Sequence, residues 1–101
     1  MHLKITERAE WDIDHRAAFW ESASRGLGRD YLLHLHEELQ RLSRLADAAT
    51  HSRSFNGFHR FLTRRYSAQV FYEIEDDAVL IHGVFDCRED PEEIAEELNY
   101  R

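Results

Sequence analysis

The chain has 101 residues, of which 43% are hydrophobic, 12% aromatic and 33% charged, a composition that excludes a disordered or fibrous protein. Its formal net charge of −7 at pH 7 argues against a general nucleic-acid binder. Cys87 is the single cysteine, so an intramolecular disulfide framework and a cysteine zinc site are both excluded. The length predicts one domain that spans residues 1–101.

The sequence also bears on location. No apolar run approaches the roughly 20 residues that cross a bilayer. The first residues, MHLKITERAEW, lack the basic start and the long apolar segment of a secretory signal. We therefore expect a cytoplasmic protein.

The N-terminal part predicts a short strand that leads into a helix. Residues His2–Ile5 alternate in polarity, and Thr6 before an acidic residue is a typical helix N-cap. Apolar residues at three-to-four spacing predict a helix from Glu7 to about Ala23. Three aromatic residues of this helix are expected to pack in the core: Trp11, Phe19 and Trp20.

A second helix is predicted to fold back on the first. The segment SRGLG, residues 24–28, interrupts the periodicity with two glycines. The apolar pattern then resumes from about Gly28 to Ala46. Two helices joined by a short glycine turn form an antiparallel hairpin. Residues 46–57 have no period and predict a loop.

The C-terminal part predicts three strands and a helix. The strands are expected at His59–Arg65, Ala68–Glu75 and Ala78–Asp86. In the middle strand one face should carry Ala68, Val70, Tyr72 and Ile74, and the other Gln69, Phe71 and Glu73. The last strand is apolar on both faces, which is typical of a central strand. Pro91 and the acids that follow it predict a short final helix.

Positive charge is concentrated in one segment of this acidic chain. Between residues 53 and 66 there are four arginines and no acid: Arg53, Arg60, Arg64 and Arg65. Arg60 and Arg64 are four apart in a predicted strand and should share a face. Guanidinium groups bind phosphate or carboxylate oxygens bidentately, so this patch is a candidate partner site. The alternatives are an edge strand protected by charge, or ion pairs with the acidic C-terminal helix.

Other kinds of site find little support in the residues. The seven histidines show no metal-ligand spacing, no glycine-rich phosphate loop follows a strand, and no serine stands in a nucleophile-elbow pattern. We expect no metal site and no cofactor.

The order of elements resembles the RelE/ParE superfamily of type II toxins. The resemblance covers nearly the whole chain and is carried by four segments: AEWDI (9–13), GLGRDYLLHLHEEL (26–39), FHRFLTRRYSAQVFYEI (58–74) and VLIHGVFDCREDP (79–91). It implies an α+β fold with an N-terminal strand, an antiparallel helical hairpin on a mainly antiparallel sheet of about four strands, and a short C-terminal helix. It further implies a toxin of the plasmid-stabilisation type that inhibits growth and is held inactive by a cognate antitoxin, which lays an amphipathic segment into grooves along the hairpin and sheet.

Two activities divide that superfamily, and this chain departs from one of them. RelE-like members cut messenger RNA on the ribosome, whereas ParE-like members inhibit DNA gyrase. Gln69 stands where the cleaving members have an arginine, and Ile94 stands where a catalytic tyrosine is expected, although Arg88 matches the arginine after the last strand. The resemblance therefore favours binding and inhibition over cleavage.

The sequence leaves two alternatives open. A ribosome-dependent endoribonuclease would use Arg60, Arg64 and Arg88 with His59, Tyr72 or His82 for proton transfer. A degenerate member would bind a partner without toxicity. For the favoured reading, the residues expected to contact the antitoxin or the target are Arg53, Arg60, Arg64, Arg65, Gln69 and Arg88.

Overall fold

The computed structural model describes residues 1–46 and 55–101. The elements are β1 (His2–Ile5), α1 (Glu7–Ala23), α2 (Leu27–Ala46), β2 (His59–Leu62), β3 (Ala68–Glu75), β4 (Ala78–Asp86) and α3 (Pro91–Asn99). This order confirms the predicted α+β fold. The predicted loop at 46–57 and Arg53 lie largely or wholly outside the described residues. In the described ranges, no helix is both long enough and apolar enough to cross a membrane.

The two long helices, α1 and α2, approach each other closely because of Gly28 and the carboxylate of Glu21. Thr6 caps α1 through its hydroxyl, which accepts from the Ala9 backbone N at 3.1 Å. Glu21 near the end of α1 accepts from the backbone N of Gly26 and Gly28 at 3.0–3.1 Å, so it caps the start of α2. A Cβ on Gly28 would lie 2.7 Å from the Ala17 carbonyl oxygen. Only glycine lets the helix backbones come this near.

The four strands form one sheet in the order β1-β4-β3-β2. β1 pairs with β4 in parallel, and the other pairs are antiparallel. The β3–β4 register shifts by one position, because Phe71 lies opposite Gly83 while Tyr72 lies opposite Ile81. His82 is therefore the extra residue of a β-bulge. β4 is a central strand, as predicted.

Apolar side chains cover both faces of the sheet. The hairpin face holds the larger cluster, whose buried members include Leu35, Leu39, Leu42, Val70, Tyr72, Val79, Ile81 and Val84. The opposite face holds a second cluster under α3, formed by Phe58, Phe71, Phe85, Ile94 and Leu98. The predicted division of β3 into two faces is confirmed.

β2 is shorter than predicted, and Arg64 and Arg65 are not part of it. The strand ends at Leu62, and the chain turns over residues 63–67. Tyr66 and Ser67 both adopt left-handed conformations, with φ of 64° and 46°. This turn ends the alternation, so the prediction that Arg60 and Arg64 share a strand face is wrong.

The aromatic residues of α1 are also less buried than predicted. Trp20 is partly buried against the hairpin cluster. Trp11 and Phe19, by contrast, have 49% and 50% of their surface exposed. The prediction that all three pack in the core is therefore wrong for two of them, because Trp11 and Phe19 line surface clefts beside Arg16 instead.

Candidate functional site

Three of the predicted arginines meet at one end of the sheet. The β2–β3 turn carries Arg64 and Arg65, and the turn after β4 carries Arg88. These turns are adjacent because Ala68 pairs with Asp86 and the Cys87 backbone N donates to the Ser67 carbonyl oxygen at 2.9 Å. We call Arg64, Arg65 and Arg88 the arginine rim.

Glu38 of α2 fastens the turn at Arg64. Its carboxylate, only 7% exposed, accepts from the Arg64 backbone N at 2.6 Å and from Arg41 Nε at 2.7 Å. Burial opposes ionisation of Glu38, but these hydrogen bonds outweigh it and lower the carboxyl pKa. The Arg64 guanidinium lies 3.4 Å from the same carboxylate and stays 73% exposed. The acid therefore holds the backbone and leaves most of the guanidinium available.

Tyr66 fastens the next part of the turn to the helical hairpin. Its ring meets Trp20 and Tyr31 edge-on, at centroid distances of 5.0 and 5.4 Å. Its hydroxyl donates to Asp30, and this hydrogen bond, together with burial, raises the pKa of Tyr66. A bulky residue with positive φ is rare and costs about 1–3 kcal/mol. These contacts hold Arg65 next to Asp30 with its side chain still 64% exposed.

Arg88 is held in one orientation by Asp86. Its Nε and Nη2 donate to the two carboxylate oxygens at 2.9 Å each. This pairing lowers the pKa of Asp86 despite partial burial. The guanidinium lies over Trp20 and Phe19, with 5.5 and 6.0 Å from Cζ to the ring centroids. An exposed arginine on an aromatic base is a typical contact residue in protein interfaces.

Gln69 and Arg60 lie apart from the rim. Gln69 is buried, and its Nε2 donates to the Asp86 carbonyl oxygen at 3.2 Å. This hydrogen bond supports the C-terminal end of β4. Arg60 is exposed and pairs across the sheet with Phe71, on the face that α3 covers in part. The structure thus separates Arg60 from Arg64 and Arg65.

The predicted proton-transfer residues do not lie beside the arginine rim. His59 and Tyr72 are 8% and 4% exposed, and their rings lie 5.1 Å apart on the face beneath the helices. Burial raises the pKa of Tyr72. His82 lies in the bulge of β4, where burial lowers its pKa although Glu73 and Glu75 act in the other direction.

One titratable residue near the rim was missed from the sequence. His34 lies against Tyr66, with ring centroids 6.1 Å apart, and its Nε2 is 3.5 Å from Asp30. It lines a cleft of about 190 Å³ with Arg64 and Arg65. Two more carboxylates, Glu37 and Glu38, line the same cleft. No sequence signal marks His34, because its helix position is the same as that of any surface histidine.

Metal binding finds no support in the described part of the chain. It contains no group of three or more histidine, cysteine, aspartate or glutamate side chains placed to hold a metal ion. The exposed guanidinium groups of the arginine rim are suited to bind anionic oxygens, and that of Arg88 does so from an aromatic base.

Comparisons with known proteins agree with the fold. No protein-family model matches the sequence, and no curated protein matches it. A chain from a solved structure of the chromosomal ParDE TA system from P. aeruginosa superposes with a TM-score of 0.74 at 16% sequence identity, covering 85% of this chain and 95% of that chain. The chain therefore has the fold that its resemblance to the RelE/ParE superfamily implies.

Proposed function

We propose that this chain is the toxin component of a type II toxin–antitoxin system, a ParE-like protein that acts by binding a target such as DNA gyrase. A cognate antitoxin would neutralise it in the cytoplasm. The observation that carries the proposal is the likeness to a chain of the ParDE TA system, which extends over 85% of this chain and 95% of that chain. The sequence resemblance, drawn from separate segments of the chain, supports the same assignment.

The rim favours binding over cleavage. Its arginines are exposed, and each has a carboxylate within 4.0 Å that orients it: Glu38 for Arg64, Asp30 for Arg65 and Asp86 for Arg88. Cleavage of RNA needs a proton-transfer group within reach of the phosphate. Two of the predicted proton-transfer residues, His59 and Tyr72, are buried under the helices. A binding surface needs no proton-transfer group.

The proposal is tested by inducing the chain alone in bacteria and by assaying the purified protein on gyrase supercoiling. We expect growth arrest and loss of supercoiling, and we expect growth to return when the protein encoded by the neighbouring reading frame is produced as well. A matched pair of variants locates the contact: Arg64→Ala with Arg65→Ala should weaken toxicity, whereas Arg29→Ala with Arg44→Ala, at exposed positions of α2, should not. Normal growth together with unimpaired supercoiling contradicts the proposal.

The position of His34 favours a second candidate function, a ribosome-dependent messenger RNA endoribonuclease. His34 provides a general acid–base group, and Arg64 and Arg65 beside it can hold a phosphate. The carboxylates in the same cleft oppose a phosphate, which is why this function ranks second. Mapping of transcript ends after induction separates the two: codon-phased cuts that disappear in His34→Gln establish cleavage, and intact transcripts exclude it. A tight complex with the neighbouring protein but no toxicity would indicate a member that only binds.

A further inference from the structure

The outer edge of β2 has no neighbouring strand among the described residues. β2 is the last strand in the order β1-β4-β3-β2. Its inner edge is fixed at the β2–β3 turn, where the Thr63 backbone N donates to the Ala68 carbonyl oxygen at 3.0 Å. In an antiparallel pair, successive residues point their backbone groups alternately toward the partner strand and away from it. The N–H and C=O groups of Arg60 and Leu62 therefore point outward, away from β3.

The open part of this edge is limited to those two residues. At the start of β2, Phe55 and Phe58 exchange two backbone hydrogen bonds at 2.8 and 3.2 Å, so the outward groups of Phe58 are satisfied. In the described ranges, no residue bonds the outward backbone groups of Arg60 or Leu62. Both side chains are also exposed, that of Leu62 by 49%. Unpaired backbone groups along an exposed edge are a template for another strand.

A second copy of β2 fits this edge and pairs every outward group. When the two copies run antiparallel about a two-fold axis through Phe61, Arg60 of each copy lies opposite Leu62 of the other. Each such pair exchanges two hydrogen bonds, and each Leu62 side chain packs on the aliphatic part of the opposite Arg60. Phe61, whose ring lies under the Arg41 guanidinium at 4.8 Å, brings no charge to the axis. The edge is therefore complementary to itself.

The other edge strand, β1, does not offer an equivalent register. The backbone N groups of His2 and Thr6 donate to carbonyl oxygens of β4 and the turn before it, at 2.9 and 3.1 Å, so Leu3 and Ile5 face outward. The same two-fold arrangement would place Lys4 on the axis, opposite Lys4 of the second copy. Like charges directly opposite each other are destabilising. Self-pairing is therefore specific to β2.

We propose that two copies of this chain associate through β2, so that their two sheets continue as one. Apolar surface lies on both sides of the edge. Leu62 is on one side, and Leu45, which is 43% exposed, follows Arg41 by four residues on the flank of α2 that covers Phe61. Because a four-residue strand buries little area, the dimer is weak, with a Kd on the order of 10–100 µM. The association involves this chain alone, whether or not it is a toxin.

The first test measures the mass and the amide exchange of the purified full-length protein from about 5 to about 500 µM. In sedimentation, we expect the average mass to rise from one chain toward two. The amide protons of Arg60 and Leu62 should exchange more slowly at the high concentration because they become hydrogen-bonded, whereas those of Leu3 and Ile5 should not change. A monomer at about 500 µM, or slower exchange at Leu3 and Ile5 instead, would overturn the proposal.

A matched pair of variants at one position tests the backbone pairing. Arg60→Pro removes an outward N–H and keeps the ladder with β3, since proline is tolerated where the N–H of an edge strand faces solvent. It should weaken the dimer by roughly tenfold or more. Arg60→Ala keeps the N–H and should dimerise at least as well as the original protein, because the Arg60 side chains of the two copies lie on a diagonal and repel each other.

A second pair tests the side chains at the edge. Leu62→Lys places a lysine opposite Arg60 of the other copy and should weaken the dimer by roughly tenfold or more. Leu33→Lys makes the same change at a position of α2 that is 55% exposed and should leave the Kd within about twofold. Circular dichroism checks that each variant is folded. A dimer that persists unchanged in folded Arg60→Pro or Leu62→Lys would assign the contact to another face and contradict the proposal.

Discussion

Arg101 and Asp12 form a buried ion pair that completes the edge of β4. Nη1 and Nη2 of Arg101 donate to the two carboxylate oxygens of Asp12 at 2.5 and 3.1 Å, and the two side chains are 5% and 1% exposed. β1 ends opposite Ile81, so the edge of β4 beyond that point lacks a strand. There Asp12 accepts from the Val84 backbone N at 3.0 Å, and Arg101 donates to the His82 carbonyl oxygen at 3.1 Å. Two side chains thus satisfy backbone groups that a longer β1 would have satisfied.

Loss of either partner of this pair should be costly. Arg101→Ala leaves a buried carboxylate without its cation, so we expect a loss of about 3–5 kcal/mol in the free energy of unfolding. Asp12→Ala should cost a similar amount, and the double variant less than the sum of the two. Urea denaturation of the four proteins measures these differences.

The control for this prediction is the exposed pair of Arg8 and Glu97, whose side chains are 51% and 47% exposed. Arg8→Ala should cost no more than about 1 kcal/mol. Additive losses in the Asp12 and Arg101 variants would show that the two side chains act independently.

Stability should fall as pH drops below neutrality, and His82 should account for part of this. Burial holds the pKa of His82 below its ordinary value of 6.5, so the unfolded chain binds this proton more readily than the native protein. The stabilisation is complete above 6.5 and is lost as pH falls from there through the native pKa. We expect the urea midpoint at about pH 7.5 to exceed that at about pH 5.5, and the difference to be smaller in His82→Gln. If the two urea midpoints differ as much in His82→Gln as in the original protein, other titratable groups cause the pH dependence.

Glycine should stabilise the protein in the left-handed turn at Ser67, whereas glycine in a helix should destabilise it. Ser67 is exposed with φ of 46°, a conformation that glycine adopts without steric cost. Ser67→Gly should stabilise the protein by up to about 1 kcal/mol. Ser22→Gly, in the last turn of α1, should destabilise it by about 0.5 kcal/mol. Thermal melting of both variants gives the comparison, and two changes of the same sign would contradict the assigned turn.

Tyr72 should be important for packing and dispensable for chemistry. Tyr72→Ala removes a buried ring from the hairpin core cluster, and we expect a loss of about 3 kcal/mol or more. Tyr72→Phe keeps the ring and should cost at most about 1.5 kcal/mol while toxicity is unchanged. A folded Tyr72→Phe protein that lost toxicity would assign the hydroxyl a functional role and would favour cleavage.

Arg60 and Arg64 should act independently, because they lie in different parts of the surface. Alanine at either position should change the free energy of unfolding by less than about 0.5 kcal/mol. Their effects on affinity for a partner, measured by calorimetry with the purified neighbouring protein, should add in the double variant. By contrast, Arg65 and Arg88 both lie beside the contact between Trp20 and Tyr66. The effects of Arg65→Ala and Arg88→Ala on affinity should therefore be coupled. Strong coupling between Arg60 and Arg64 would contradict the separation that the structure shows.

Much of the architecture could be predicted because it follows from local pattern. The bounds of α1, β3 and β4 agree with the structure, since each has a clear period and a capping or turn residue at its ends. The two faces of β3 follow from strict alternation. In these elements, tertiary packing and local preference agree.

The candidate site was harder to predict because its geometry depends on distant partners. The alternating pattern continues past Leu62, but the Glu38 carboxylate and the Thr63 hydroxyl, which donates to the Arg65 carbonyl oxygen at 2.6 Å, turn the chain there. Nothing in the sequence marks Tyr66 for a left-handed conformation, which bulky residues rarely adopt. Likewise Asp12 looks like any charged residue on a helix surface until α3 brings Arg101 against it.

The parallel pairing of β1 with β4 has a consequence during synthesis on the ribosome. β1 is made first, and its partner residues 78–81 follow only after the helical hairpin, β2 and β3. A nascent chain can form the hairpin early, since those contacts are local, but β1 must wait for the last strand before it can join the sheet. The fold therefore closes late, and a chain that stops before β4 keeps β1 without its partner and the apolar side of the hairpin uncovered.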